Sequence, residues 1–162
     1  MSSRTAPART APAFFFALAL TIICCAPSHA NSVTIDDSGT QALDPSVSMR
    51  WKTATPARSA ADNVMIGTTI IRVRINVMPW LKHSGRIYLS LPAQQPGPIR
   101  LSWITQGRFL PGQVQSGNRT LIYSGPITAP FMEDTLTLQF VVDGSHMQRA
   151  VPVTYHFEMD ES

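Results

Sequence analysis

The chain has 162 residues, with 13 basic and 10 acidic side chains and a formal net charge of +3. The basic residues form no cluster with interleaved aromatic side chains, so the charge pattern argues against a nucleic-acid-binding protein. The length suits a leader followed by one domain of ordinary size.

The first 30 residues have the pattern of a secretory signal peptide. Arg4 and Arg9 precede an apolar run over residues 13–26 (AFFFALALTIICCA), and Ala30 ends a small-x-small pattern before a predicted cleavage at Asn31. An uncleaved membrane anchor is the alternative, but the apolar run is short for a span of about 20 residues. Lipidation is a further alternative, disfavoured because the residues around the two cysteines do not match the pattern that precedes a lipidated cysteine.

Removal of this leader changes the composition of the chain. Cys24 and Cys25 both leave with it, so the remaining chain has no cysteine and its fold cannot depend on a disulfide. Eleven basic and ten acidic residues remain, a net charge of +1. Residues 31–45 are predicted to form an N-terminal extension, and residues 46–162 a single domain.

Alternating apolar and polar residues predict a series of short strands and no helix. The strongest candidate covers residues 68–78, where Ile71, Val73, Ile75 and Val77 share one face. The last candidate, residues 149–159 (RAVPVTYHFEM), alternates in the same way and precedes a charged tail. The other candidates are residues 46–52, 86–91, 99–105, 108–115, 120–124 and 135–142, and a short stretch at Val33 and Ile35.

Turn signals separate these candidates. Ser116 to Arg119 resembles a hairpin turn, and Asp143-Gly144 predicts a type I′ or related turn leading into the last strand. Seven or eight short strands at this spacing predict an all-β fold, a β-sandwich, with a small closed barrel as the alternative.

The sequence contains no clear catalytic or metal-binding motif. No two histidines have metal-ligand spacing, no serine lies in a G-x-S-x-G elbow, and no glycine-rich phosphate loop is present. Glu133 and Asp134 are adjacent carboxylates, but neighbouring residues on a strand point to opposite faces. We therefore predict no enzymatic activity, no cofactor and no metal site.

Three side chains are candidates for ligand contact. Arg72 and Arg74 lie on the polar face of the strongest strand and could pair with carboxylates, although such charges often only keep a surface soluble. Trp80 follows in a predicted turn and could stack on a ligand, or it could plug the end of the sandwich.

The leader, the short alternating N-terminal stretch and the amphipathic last strand together resemble subunits of chaperone–usher fimbriae. More narrowly, the chain is similar to minor subunits of enterobacterial adhesive fimbriae whose pilins lack a disulfide. The stretches that carry this resemblance are residues 46–52 (SVSMRWK), 68–78 (TTIIRVRINVM), 97–109 (GPIRLSWITQGRF), 124–130 (SGPITAP) and 151–159 (VPVTYHFEM).

The resemblance implies an immunoglobulin-like sandwich that lacks one strand and is completed by β-strand addition. A periplasmic pilus chaperone would lend the strand first, and a neighbouring fimbrial subunit would replace it during assembly at the outer-membrane usher. Val33 and Ile35 would then belong to the donor strand. The acceptor groove would be lined by Val151, Val153, Tyr155 and Phe157.

The resemblance also implies a place and a role. The protein would be exported through the periplasm to a cell-surface fimbrium, where it would contribute to adhesion, with a host receptor as a further partner. The alternation stops at Ile35, and Gly39 follows two aspartates, which favours a minor subunit. The alternative is a free-standing periplasmic or extracellular sandwich that binds a glycan or a protein. A secreted enzyme or inhibitor is a third and weaker hypothesis.

Overall fold

A computed structural model of the chain describes residues 31–44, 46–53, 63–93, 97–146 and 152–161. The predicted leader, residues 1–30, and Val151 of the predicted acceptor groove lie outside these residues. Both therefore stay predictions.

Strands account for nearly all the regular structure that is described, and two short 3-10 helices, Met78–Trp80 and Gly144–His146, account for the rest. The described part of the chain has no α-helix, and none of its helices has the length and apolarity needed to cross a membrane. The strands are β1 (Ser32–Thr34), β2 (Gln41–Ala42), β3 (Arg50–Trp51), β4 (Val64–Asn76), β5 (Ser84–Leu91), β6 (Ile99–Thr105), β7 (Gly112–Gln115), β8 (Asn118–Pro126), β9 (Phe131–Asp143) and β10 (His156–Glu161).

These strands form two antiparallel sheets that pack face to face. One sheet has four strands in the order β1-β10-β5-β8. The other has six strands in the order β2-β4-β9-β6-β7, with β3 also paired to β4. The all-β sandwich predicted from the alternating pattern is therefore confirmed. Residues of the predicted N-terminal extension contribute one strand to each sheet, β1 and β2.

The pairing of β4 with β9 is the backbone of the six-stranded sheet. Each strand has 13 residues, and their register runs without interruption from Val64 opposite Asp143 to Asn76 opposite Phe131. β-Branched residues alternate along β4, and this pattern suits a pleated surface with one face buried. Ile71, Val73 and Ile75 on its inner face are at most 1% exposed.

The core lies between the sheets and draws on every long strand. Fully buried side chains come from both layers: Ile71, Val73, Ile75, Leu136 and Leu138 from the six-stranded sheet, and Ile87, Leu89, Ile122, Phe157 and Met159 from the four-stranded sheet. Because each strand exposes its other face, neither sheet could bury its apolar side alone.

Neither of the two predicted turns joins a pair of hydrogen-bonded strands. Gly144 does not adopt the positive φ of a type I′ turn. Instead the Asp143 carboxylate accepts hydrogen bonds from the Ser145 backbone N–H at 2.9 Å and the Asn63 amide at 2.9 Å, and a 3-10 helix begins there. The chain then passes to the other sheet, where β10 pairs with β5 and β1 rather than with β9.

The predicted turn at residues 116–119 also connects strands that do not pair with each other. Gly117 does turn the chain with φ of +86°, which glycine adopts without strain. However, β7 pairs with β6 and β8 pairs with β5, so this turn joins the two sheets instead of two paired strands.

Two predicted strands are shorter than expected. Only Arg50–Trp51 of residues 46–52 is a strand, and Trp51 is 53% exposed, whereas Val47 and Met49 pack against the core. The last strand covers His156–Glu161, and residues 149–151 of the predicted strand lie outside the described residues. Residues 152–155 precede it without strand geometry.

Candidate functional site

The outer edge of the last strand is covered by the first strand of the same chain. β1 runs antiparallel to β10, with Ser32 opposite Asp160, Val33 opposite Met159 and Thr34 opposite Glu158. The Ile35 backbone N–H extends the pairing by donating to the Phe157 carbonyl at 2.8 Å. We call this arrangement the β1–β10 edge.

The chain leaves this edge immediately after Ile35. The Asn76 backbone N–H donates to the Asp36 carbonyl at 2.8 Å, and the two residues form a bridge to the end of β4. The segment therefore crosses from the four-stranded to the six-stranded sheet within one residue. The Asp36 carboxylate accepts a hydrogen bond from the Ser38 backbone N–H, and hydrogen bonds with Ser38 lower the pKa of this carboxyl.

The inner face of the β1–β10 edge is apolar. Ile35 is 1% exposed and belongs to the core, together with Phe157 and Met159, which are fully buried. Val33 lies on the same face of the strand but is 43% exposed, since it is near the end of the sheet. One buried side chain, Ile35, thus accounts for most of the apolar attachment of β1.

The structure brings together only part of the predicted donor and acceptor residues. Ile35 and Phe157 are joined through the backbone, and Val33 lies beside Met159. Val153 and Tyr155 precede β10 and are half-buried against the core.

Tyr155 is linked to both sides of the edge. Its ring contacts that of Phe157 edge-on, with centroids 6.3 Å apart. Burial raises the pKa of the Tyr155 hydroxyl, and the negative charge of Asp37 raises it further. The segment before β10 therefore lies close to the segment that follows β1.

The outer face of the edge carries a network of polar side chains that we call the Arg119 clasp, consisting of Arg119, Ser32, Glu158 and Asp160. Arg119 on β8 donates to both oxygens of Asp160, at 2.8 and 3.0 Å, and to Glu158 at 3.2 Å. Ser32 accepts from Arg119 at 3.1 Å and donates to Glu158 at 2.8 Å. The clasp thereby connects β8, β10 and β1.

Burial and hydrogen bonding shift the pKa values of side chains in the clasp. Asp160 is 3% exposed, so its two-bond ion pair with Arg119 is less screened by solvent than an ion pair between two exposed side chains. The hydrogen bonds to Asp160 raise the pKa of the Arg119 guanidinium. The guanidinium also lies over the Tyr88 ring, 4.3 Å from its centroid.

Glu158 is the second carboxylate of the clasp. Burial raises the pKa of its carboxyl, but hydrogen bonds from Ser32, Ser90, His156 and Arg119 outweigh this effect and hold the pKa below its usual value. The His156 ring nitrogen Nε2 lies 2.9 Å from Glu158 Oε1.

Sequence reasoning missed this clasp. The predicted last strand ends at Met159, before the charged tail, whereas Asp160 is part of β10 and is buried in an ion pair with Arg119. The alternate polar residues His156, Glu158 and Asp160 could have indicated one side of the site, because alternate residues of a strand share a face. Nothing local points to Arg119, which is 41 residues from Asp160 in the sequence.

Of the three candidate ligand contacts, Arg72 and Arg74 share the exposed face of β4. Arg74 lies on the outer face of the six-stranded sheet, 3.2 Å from Glu133, with its guanidinium 4.5 Å from the Phe131 ring centroid. Arg72 lies two residues earlier on the same exposed face. Trp80 is in a 3-10 helix and is half-buried against the core.

The adjacent carboxylates Glu133 and Asp134 point to opposite faces of β9. Glu133 is exposed, and Asp134 is buried, where it accepts a hydrogen bond from the Phe109 backbone N–H at 2.8 Å. Asp134 thus anchors the loop after β6. Among the residues that the structure describes, no three histidine, cysteine or acidic side chains are grouped so that they could hold a metal ion.

The features that stand out are therefore an edge closed by a short strand and a polar clasp across it. Such an arrangement has the chemistry of strand pairing. In comparisons with known proteins, no protein-family model, no curated protein and no solved structure matches the chain.

Proposed function

We propose that the chain is an exported structural subunit, of the minor kind, of a chaperone–usher fimbria, assembled by donor-strand complementation and contributing to cell adhesion. One observation carries this proposal. The edge of β10 is covered by a strand of only three residues, drawn from the segment to which the family resemblance assigns the donor strand.

The apolar attachment of β1 is small, which favours its exchange. The strand β1 pairs with β10 alone. All three of its residues are exposed, and the adjacent Ile35 is buried. When β1 leaves, the backbone N–H and C=O groups along β10 become an open edge that another strand can pair with. A chaperone and a neighbouring subunit are the partners that this proposal requires.

The cover that β1 provides is also incomplete. If its antiparallel register continued, Asp37 would lie opposite Tyr155 and Gly39 opposite Val153. Neither residue is apolar, and the chain instead turns away at Asp36. A strand from another subunit with apolar residues at these two positions would cover Val153 and Tyr155 as well, so it would displace β1.

The test disables the chain's own strand and supplies one from outside. The full chain carrying Ile35→Asp is expressed for export in a bacterial host and purified as processed there. Its thermal unfolding is measured with synthetic peptides of residues 31–40, one native and one carrying Asp37→Val and Gly39→Val. At a hundredfold excess over Kd we expect a rise of about 10 °C in the midpoint, reached at lower concentration by the second peptide.

A peptide carrying Ile35→Asp is the control and should have no effect, because its one core-filling side chain is replaced by a charge. If Ile35→Asp prevents folding, Ile35→Ala opens the same edge more gently. If none of the peptides changes the midpoint of thermal unfolding, β10 accepts no strand from outside, and the fimbrial proposal would be rejected.

A second candidate function is favoured by the same edge. With β1 in place, the outer side of β10 is already paired within the chain, as in a free-standing sandwich. A groove of about 450 Å³ beside β7 and β8 would then be a place for a glycan or protein ligand, lined by Arg100, Gln113, Val114, Gln115, Asn118 and Thr120. The same peptides added to the native chain separate the two, since a complete sandwich that keeps its own β1 gains nothing from an added strand.

A further inference from the structure

The Arg119 clasp reaches the first strand through a single side chain. Ser32 Oγ accepts from Arg119 Nη1 at 3.1 Å and donates to Glu158 Oε2 at 2.8 Å. A hydroxyl can do both, because it carries one donor and two acceptor lone pairs. Alanine can do neither, and a carboxylate would add a third negative charge beside Glu158 and Asp160.

The position of this hydroxyl is tied to the register of the strand. Sliding β1 by one residue would send Ile35 to the solvent face, since side chains alternate. Sliding it by two in one direction would place Asp36 opposite Glu158 and Asp37 opposite Phe157. The first pairing sets like charges against each other, and the second puts a charge in the core.

The opposite slide is no better for the clasp. It would place Ser32 opposite Glu158 and Thr34 opposite His156, which moves the serine two residue pairs away from Asp160. The guanidinium is fixed by its two bonds to the buried Asp160 and by the Tyr88 ring. The observed register is the one that places Ser32 opposite Asp160 and within hydrogen-bond distance of both Arg119 and Glu158.

We propose that the Arg119 clasp is a recognition site for whichever strand lies along β10, and that it selects a strand with serine or threonine three residues before the buried apolar residue. The strand has the pattern hydroxyl–apolar–any–apolar, as in Ser32 to Ile35. For a strand supplied by another subunit, this inference rests on the proposed function. For β1 itself it stands alone.

The first experiment uses the chain's own strand. Hydrogen exchange of the Ile35 amide, which is bonded to Phe157, is measured in the exported full chain and in its Ser32→Ala and Arg119→Lys variants. We expect each variant to exchange about 5- to 10-fold faster, the equivalent of one ordinary hydrogen bond. The double variant should be little faster than either, because the two side chains act through the same contact.

Thr34→Ala is the matched control. Thr34 lies on the same strand and the same exposed face, opposite Glu158, but outside the clasp. Its exchange should stay within about twofold of the native chain, as for an ordinary surface substitution. Equal effects of Ser32→Ala and Thr34→Ala would overturn the proposal.

The second experiment supplies the strand in trans. Calorimetry measures the binding of peptides of residues 31–40 to the Ile35→Asp chain, with serine, threonine, alanine or aspartate at position 32. We expect serine and threonine to bind about 5- to 10-fold more tightly than alanine, and aspartate to bind most weakly. Adding Arg119→Lys to the chain should remove this ranking.

The two experiments distinguish the clasp from the fimbrial role. Peptides that bind without any preference at position 32 would refute recognition by the clasp while the fimbrial role stands. Altered exchange of β1 in the first experiment, with no peptide binding in the second, would support the clasp on the chain's own strand and refute assembly by strand exchange.

Discussion

Thr69 carries a polar group into the core. It lies on the inner face of β4 and is 6% exposed, and its buried hydroxyl oxygen has no hydrogen-bond partner among the residues that the structure describes. An unpaired buried hydroxyl destabilises the folded state by about 1–3 kcal/mol. Valine has nearly the same shape and no polar atom. We therefore expect Thr69→Val to raise the free energy of unfolding by about 1–2 kcal/mol in urea denaturation.

Thr69→Ser is the control, since it keeps the hydroxyl and removes a buried methyl group. It should lower the free energy of unfolding by about 1 kcal/mol. A lower stability of Thr69→Val than of the native chain would mean that the hydroxyl is satisfied in solution, for example by an ordered water molecule.

At the scale of the element, the fit between β5 and β10 depends on Gly85. It pairs opposite Glu161 on one side and Gly125 on the other. A Cβ atom at this position would lie 2.6 Å from the sulfur of Met159, which is fully buried and has little room to move. We expect Gly85→Ala to lower the free energy of unfolding by about 1–3 kcal/mol, because it overfills the core beneath β10.

The coupling to Met159 provides the check. In a Met159→Ala background the obstructing sulfur is absent, so Gly85→Ala should change the free energy of unfolding by about 0.5 kcal/mol or less. Additive losses in the double variant would place the effect of Gly85 in the backbone rather than in the contact with Met159.

At the scale of the whole molecule, we expect the free energy of unfolding to depend on pH because of Glu158. Its pKa is lowered in the folded state. A carboxyl of this kind stabilises the fold at pH values above its unfolded pKa of about 4.3, and the contribution is lost as the pH falls through the lower folded value. We therefore expect the stability advantage of the native chain over Glu158→Gln to shrink as the pH falls below about pH 4.

The measurement is a series of urea denaturation curves at pH 7, 5, 4 and 3 for both proteins. Asp36 also has a lowered pKa, but it is present in both and its effect cancels in the difference. A difference that stays the same down to pH 3 would show that Glu158 gains nothing from its partners in the folded state.

The strands of the long β4–β9 pair were predictable, and the paths between strands were not. Thr68 to Met78 has a regular alternation that only a half-buried strand satisfies. Asp143-Gly144 has the composition of a hairpin turn, but the same Asp side chain can bond to the backbone two residues on, and here it does. Local composition cannot distinguish these outcomes, because they differ in which sheet receives the next strand.

The candidate site was predictable on one side only. Val33, Ile35 and Phe157 follow from alternation and from the family resemblance, and the structure joins them at one edge. Arg119 had no signal, since a single arginine in a turn-like stretch is ordinary. Its role arises because β8 and β10 both flank β5, which brings it beside Asp160.

By itself, the sequence determined that the chain is all-β, which residues face inward along its strands, and that no disulfide can hold the region after the predicted leader. These properties depend on periodicity and composition, which are local. Only the tertiary structure decided which strands share a sheet, that β1 closes the edge of β10, and that Ser32, Arg119, Glu158 and Asp160 form a clasp across it. Those contacts join residues up to 126 positions apart, and burial of two apolar faces against each other selects them.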